Sequence, residues 1–138
     1  LATDLLCRAV GGSGGSAGGM HCFLRITPEA ESSLGSAPIT LSLLTPDMKV
    51  GNKYINAGVD SGSGSFRASV DNGKCNTPGG QDKIDQAVMA SFNSQPNGTP
   101  YSPIPYGGAS NSNAFIHRVL KGAGLTVIPS APLGAVGY

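Results

Sequence analysis

Residues 109–125 read ASNSNAFIHRVLKGAGL. Three small polar residues, Asn111, Ser112 and Asn113, run directly into an apolar stretch of helical spacing. With about 100° between successive residues, Phe115, Ile116 and Val119 fall on the same side as Ser112, and Leu120 borders them. That stripe is the face a helix turns to a core. His117 falls on the other side, above Asn113 and beside Lys121. Gly122 or Gly124 can end the helix, so the spacing predicts a helix over 112–122. Ser and Asn are preferred N-caps, and capping alone accounts for the polar triplet. A helix start also presents main-chain N–H groups and the positive end of the dipole, which suit an ionised nucleophile or an oxyanion. From this stretch alone, Ser112 reads either as a capping residue or as a nucleophile.

Upstream, residues 80–92 (GQDKIDQAVMASF) place Ile84, Val88 and Phe92 four apart, with Ala87 on the same face. This predicts an amphipathic helix over 81–92, with Asp82 and Asp85 in the turns where the dipole favours acids. Residues 93–110 between the two helices are Pro- and Gly-rich and read as an irregular loop. The tail over 128–138, with two prolines and two glycines, reads as extended.

The first seventy residues have a different period. LLCRAV and MHCFLRI are short apolar runs on either side of the nine-residue segment GGSGGSAGG, and they read as two strands joined by a flexible loop. That loop lacks the pattern of a phosphate-binding loop. ITLSLL is a third strand candidate. KYINAGV and SFRASV, separated by DSGSGS, read as a second hairpin. The expected fold is therefore α+β: an antiparallel sheet from residues between about 5 and 70, packed against helices over 81–92 and 112–122, in a single domain spanning 1–138.

Composition narrows the function classes. Nine basic and eight acidic residues give a net charge of +1, and charged residues make up 12% of the chain. Without a polybasic run, nucleic-acid binding lacks its electrostatic footprint. No apolar stretch reaches the ~18 residues that span a bilayer. The chain opens on Leu1 rather than Met, which reads as a fragment or a mature form. Cys7, Cys22 and Cys75 have no C-x-x-C spacing, so no zinc cluster and no other metal or cofactor is expected. They read first as buried thiols. If their strands pair as a hairpin, Cys7 and Cys22 come within disulfide reach, and Cys75 is left over.

His21 opens the MHCFLRI strand. Alternation puts His21, Phe23 and Arg25 on one face and Cys22, Leu24 and Ile26 on the other. A histidine at a strand's beginning can meet a helix N-terminus across a cleft, although a lone histidine there needs no function.

Together, ASNSNAFIHRVLKGAGL and GGMHCFLRI resemble the N-[CS]-N-[ST]-F-x-x-x-[LV]-L-x-x-A-G segment and the early strand histidine of circularly permuted papain-like amidases. The lecithin:retinol acyltransferase-like proteins share this permutation. Similar segments occur in C-terminal regions of bacterial secreted proteins of the rearrangement-hotspot kind. The resemblance covers about thirty residues in two pieces. It implies a permuted papain-like fold and a hydrolase or acyltransferase acting on an amide or ester, with a peptide, peptidoglycan or protein as substrate. It further implies a secreted or periplasmic setting, as for a bacterial effector. Ser112 would attack and His21 would move the proton. Tyr101, Tyr106, Asn111 and Asn113 would line the substrate cleft. Papain-like enzymes use a cysteine where this chain has Ser112. A native serine variant, an engineered replacement, and a non-catalytic binding or structural module of the same fold all fit that departure. Asn56, Asp60, Glu29 and Glu31 all lie on or near the strands after His21, and the sequence does not choose a third site residue among them.

Overall fold

The computed structural model describes residues 3–10, 19–45, 49–70, 79–102, 111–125 and 127–138. The apolar runs of the first half form β1 (Thr3–Ala9), β2 (Met20–Ile26), β3 (Ile39–Leu44), β4 (Val50–Ile55) and β5 (Phe66–Ser69). Helix α1 (Gly80–Ser94), β6 (Thr99–Pro100) and α2 (Ser112–Gly122) follow. The six strands lie in the order β5-β1-β2-β3-β4-β6, and every neighbouring pair is antiparallel. The α+β class, the antiparallel sheet and the two helices are as expected from the sequence.

Strand alternation sorts the sheet into two faces. Leu5, Cys7, Cys22, Leu24, Ile26, Leu41 and Leu43 join Ile84, Val88 and Phe92 of α1 and Phe115, Ile116, Val119 and Leu120 of α2 in one core. The helical residues among them are those whose spacing marked a core face, and Cys22, Leu24 and Ile26 are one of the two alternating sets of the second strand. The helices meet where Ser91 Oγ donates to the carbonyl of Val119, 2.6 Å away. A Cβ on Gly122 would come within 2.5 Å of that hydroxyl, so a glycine lets the helices close. The opposite face of the sheet carries Arg8, His21, Arg25, Thr40 and Ser42, with Leu6 and Phe23 buried among them.

The hairpin of β1 and β2 sets Cys7 opposite Cys22, and the two form a disulfide with their Cα atoms 4.0 Å apart. Cys75 lies outside the described residues.

Three expectations change. β4 and β5 do not form a hairpin: β4 pairs with β3 and β6, while β5 takes the free edge of β1. The ten residues between them therefore cross the sheet, and they carry a 3-10 turn, Gly58–Asp60. That connector ends against β1, where a Cβ on Gly64 (φ 71°) would collide with the carbonyl oxygen of Cys7. Ser65 N–H donates to the same oxygen at 2.9 Å. Second, the loop expected over 93–110 contains the last turn of α1 and the short strand β6. Pro100 is tolerated there because β6 is an edge strand, where a missing N–H breaks no ladder. Third, residues 127–138 contain turns and pack back on the domain: Met20 N–H donates to Gly134 O, and Tyr138 packs edge-on to His117.

Candidate active site

β3 is hydrogen-bonded to β2 only along Leu24–Ile26, which leaves the first half of β2 without a strand on that side. The N-terminus of α2 fills the gap. Asn113 Oδ1 accepts from the Cys22 N–H at 2.8 Å, and its Nδ2 donates to the Met20 carbonyl at 2.9 Å and the Val136 carbonyl at 3.1 Å. A side-chain amide thus substitutes for a missing backbone neighbour. Asn111 is the N-cap: its Oδ1 accepts from Ala114 N–H and its Nδ2 donates to Val136 O, both at 2.8 Å. Ser112, between these two anchors, is the first residue of the helix.

This docking brings Ser112 Oγ within 2.9 Å of His21 Nδ1, across 91 residues of sequence. On the other side of the ring, His21 Nε2 lies 2.9 Å from Asp60 Oδ2. Asp60 is fully buried and comes from the crossing connector. Ser42 Oγ donates to Asp60 Oδ2, and Arg8 Nε donates to Asp60 Oδ1, each at 2.7 Å. Arg25 Nη2 holds the main-chain oxygen of Asp60 at 2.5 Å. Residues from β1, β2 and β3 thereby fix one carboxylate beneath the imidazole.

The electrostatics determine the proton positions. Burial by itself pushes the Asp60 carboxyl up, but the hydrogen bonds from His21, Ser42 and Arg8 and the charge of His21 outweigh it and bring it down to about 2. An ionised carboxylate only accepts, so in the neutral ring Nε2 carries the proton and Nδ1 presents a lone pair. The Ser112 hydroxyl then donates to Nδ1. The ring is further held by Phe23, stacked at 5.9 Å between centroids, and Arg25 lies over the Phe23 ring at 5.6 Å. Ser112 and His21 are 6% and 7% exposed, so their contact is shielded from solvent.

The helix start adds a second function. The first intrahelical bond is Phe115 N–H to Asn111 O, and Ala114 N–H is taken by the cap. The N–H groups of Ser112 and Asn113 therefore have no intrahelical acceptor and sit at the positive end of the α2 dipole. Among the described residues, no group of three His, Cys, Asp or Glu side chains is placed to hold a metal ion. No described helix is long and apolar enough to cross a membrane.

No protein-family model matches this chain, and neither a curated protein nor a solved structure does. The chemistry of the site therefore rests on its own geometry.

Of the residues singled out from the sequence, His21 and Ser112 are brought together. Asn111 and Asn113 flank the site, but as anchors: their amides are committed to main-chain partners instead of facing a ligand. Tyr101 follows β6, separated from β2 by β3 and β4. Its N–H donates to Lys49 O, and burial pushes its phenol up. It takes no part in the contacts around Ser112. Tyr106 lies outside the described residues. Asp60 was one of four acidic or amide candidates with nothing to choose among them. Arg8, Arg25 and Ser42 were not singled out as site residues, because each is an ordinary polar position of a half-buried strand. His117 stands apart from the site, as its helical position required, against Tyr138.

Proposed function

We propose that this chain is a permuted papain-like hydrolase domain in which Ser112 is an acyl-accepting nucleophile, acting on an amide or ester of a peptide, peptidoglycan or protein. The observation that carries the reading is the continuous relay Ser112–His21–Asp60, with both contacts at 2.9 Å. A serine hydroxyl is far harder to ionise than a thiol, and a carboxylate behind the imidazole answers that difficulty. His21 Nδ1 takes the Ser112 proton as Oγ bonds to the substrate carbonyl carbon. Asp60 stabilises the imidazolium that forms. The N–H groups of Ser112 and Asn113 face the developing oxyanion. The imidazolium then protonates the departing amine or alcohol as its bond to the carbonyl carbon breaks. Water, deprotonated by the same ring, releases the acyl group in a second cycle. The buried disulfide suits an oxidising compartment, in keeping with a secreted or periplasmic setting.

Acylation by p-nitrophenyl acetate tests this. One equivalent of p-nitrophenol is expected in a burst, with the acetyl group found on Ser112 by mass spectrometry. Ser112→Ala should abolish the burst, and His21→Ala should slow it by roughly 10²–10⁴-fold, the usual contribution of a general base. A complementary readout is Ser112→Cys, whose thiol is expected to react with iodoacetamide well below the ordinary cysteine pKa of about 8.5. A thiol titrating near that value and indifferent to His21→Ala, with no acetyl-Ser112 formed, would leave Ser112 as a first-turn residue of a non-catalytic module.

A further inference from the structure

Arg8 stands directly opposite His21 across the β1–β2 ladder, so both side chains project from the same face. Its Nε is bound to Asp60 Oδ1 at 2.7 Å, and its side chain remains 30% exposed. A planar guanidinium held at Nε has a fixed orientation: one Nη N–H runs parallel to Nε–H along the Asp60 edge, and the outer edge presents a pair of Nη N–H donors. Among the described residues these Nη groups have no partner. The contacts therefore run from Ser112 through His21 and Asp60 and end in an outward-facing fork.

The charge around the fork is unbalanced. Arg8, Arg25 and Arg67 share this face with two carboxylates, Asp4 and Asp60. Arg67 pairs with Asp4. Arg25 spends its hydrogen bonds on Thr40 Oγ1 and on the main-chain oxygen of Asp60. The Asp60 carboxylate pairs with Arg8, and Arg25, whose partners are neutral oxygens, leaves this face with one positive charge in surplus.

We infer that Arg8 is a specificity residue, whose free Nη pair receives a carboxylate carried by the substrate a short spacer away from the bond that Ser112 attacks. The inference rests on the reading of Ser112 as nucleophile and deepens it: the preferred substrates are amides or esters bearing a nearby free carboxylate. A fork of two parallel N–H donors matches the two carboxylate oxygens, and a partly desolvated setting strengthens the contact. The positive surplus also favours the approach of an anion.

The test is binding in the Ser112→Ala protein, where nothing is turned over. The probes are glutaric acid monoamide, which is anionic, and its neutral diamide, followed by the NMR shifts of the His21 ring. The monoamide is expected to bind at least about tenfold more tightly, and that ratio should fall as salt rises. Arg8→Gln should bring the ratio to about one. Arg8→Lys, which retains the charge without the fork, should lower the ratio and serves if the glutamine variant does not fold. Equal affinity for the two probes, no saturable binding, or a ratio unchanged by the Arg8 substitutions overturns the inference. Acetylation of Ser112 is read separately in the wild-type protein, so failure of the nucleophile reading is distinguished from failure of this one.

Discussion

Asp60 and Asp85 are both fully buried, yet their environments push them in opposite directions. Asp60 is brought down to about 2, because burial is outweighed by hydrogen bonds from His21, Ser42 and Arg8. Asp85 is pushed up: burial dominates, and the neutral donors Thr3 and Gln81 only partly offset it, while Asp82 and Glu29 add like charge. Both neutral donors reach a single oxygen, Oδ1, at 2.7 and 2.6 Å. Asp85 Oδ2 is buried with no partner. The difference lies in the partners and not in depth. A buried carboxylate surrounded by cations and donors is a preset electrostatic element, whereas one with neutral partners on one side is a packing compromise at the start of a helix.

The largest effect should come from emptying the first site. Asp60→Ala leaves Arg8, His21 and Ser42 facing a vacancy, and truncating one partner of a buried ion pair costs about 3–5 kcal/mol. Asp85→Asn retains an acceptor for Thr3 and Gln81 and removes a disfavoured charge, so it is expected to change stability by about 1 kcal/mol or less. Urea unfolding at pH 7 compares the two. Similar losses would mean that depth, and not partnership, controls both.

Acid should separate them next. A folded-state value of about 2 for Asp60, against 3.8 in the unfolded chain, means that the native state holds this proton less tightly. The associated stability, about 2 kcal/mol at 1.36 kcal/mol per unit, is present above about pH 4 and is lost as pH falls toward 2. Asp85 has the reverse sign: its folded-state value is raised, so stability present below pH 3.8 is lost as pH rises through its folded value. Melting temperatures measured against pH should therefore show a steep acid limb in the wild type that Asp60→Asn flattens. The advantage of Asp85→Asn over the wild type should grow as pH rises from 4. Parallel curves for the three proteins would contradict both assignments.

The smallest effect is expected at a second arginine–aspartate pair. Arg67 Nη2 meets Asp4 Oδ2 at the same 2.7 Å as Arg8 meets Asp60, but the Arg67 side chain is 70% exposed. Solvent and salt weaken such a pair, so Arg67→Gln should cost about 1 kcal/mol or less and become nearly silent in high salt. Arg8→Gln should cost more and depend less on salt. The same unfolding series measures both.

Much of the architecture is legible in the residues. The 3.6-residue spacing of Ile84, Val88 and Phe92, and of Phe115, Ile116 and Val119, marked the two helices and their buried faces. The alternation in MHCFLRI put His21 and Cys22 on opposite faces, and the hairpin that brings Cys7 to Cys22 followed from the two apolar runs around the glycine segment. The pairing of His21 with Ser112 was reached through resemblance to a family, since 91 residues separate them. Residues 60–65, DSGSGS, read as a hairpin turn because they are good turn chemistry, and turn chemistry does not reveal which strand edge comes next. Asp60 stays one of four candidates in the sequence, because its place beside His21 depends on the path of that connector across the sheet. Asn111 and Asn113 were read as substrate ligands for a similar reason: whether an amide is free or engaged depends on the strand it docks against.

The amino-acid sequence by itself determined the two helices with their buried faces and most of the strands, because helix and strand periods are local properties of the chain. The tertiary structure alone decided the third member of the relay, the anchoring of α2 in the gap beside β2, and the contrast between Asp60 and Asp85. Those depend on which distant strands share an edge and which cations end up beside a buried carboxylate, and long-range pairing of that kind leaves no periodic trace in the residues that take part.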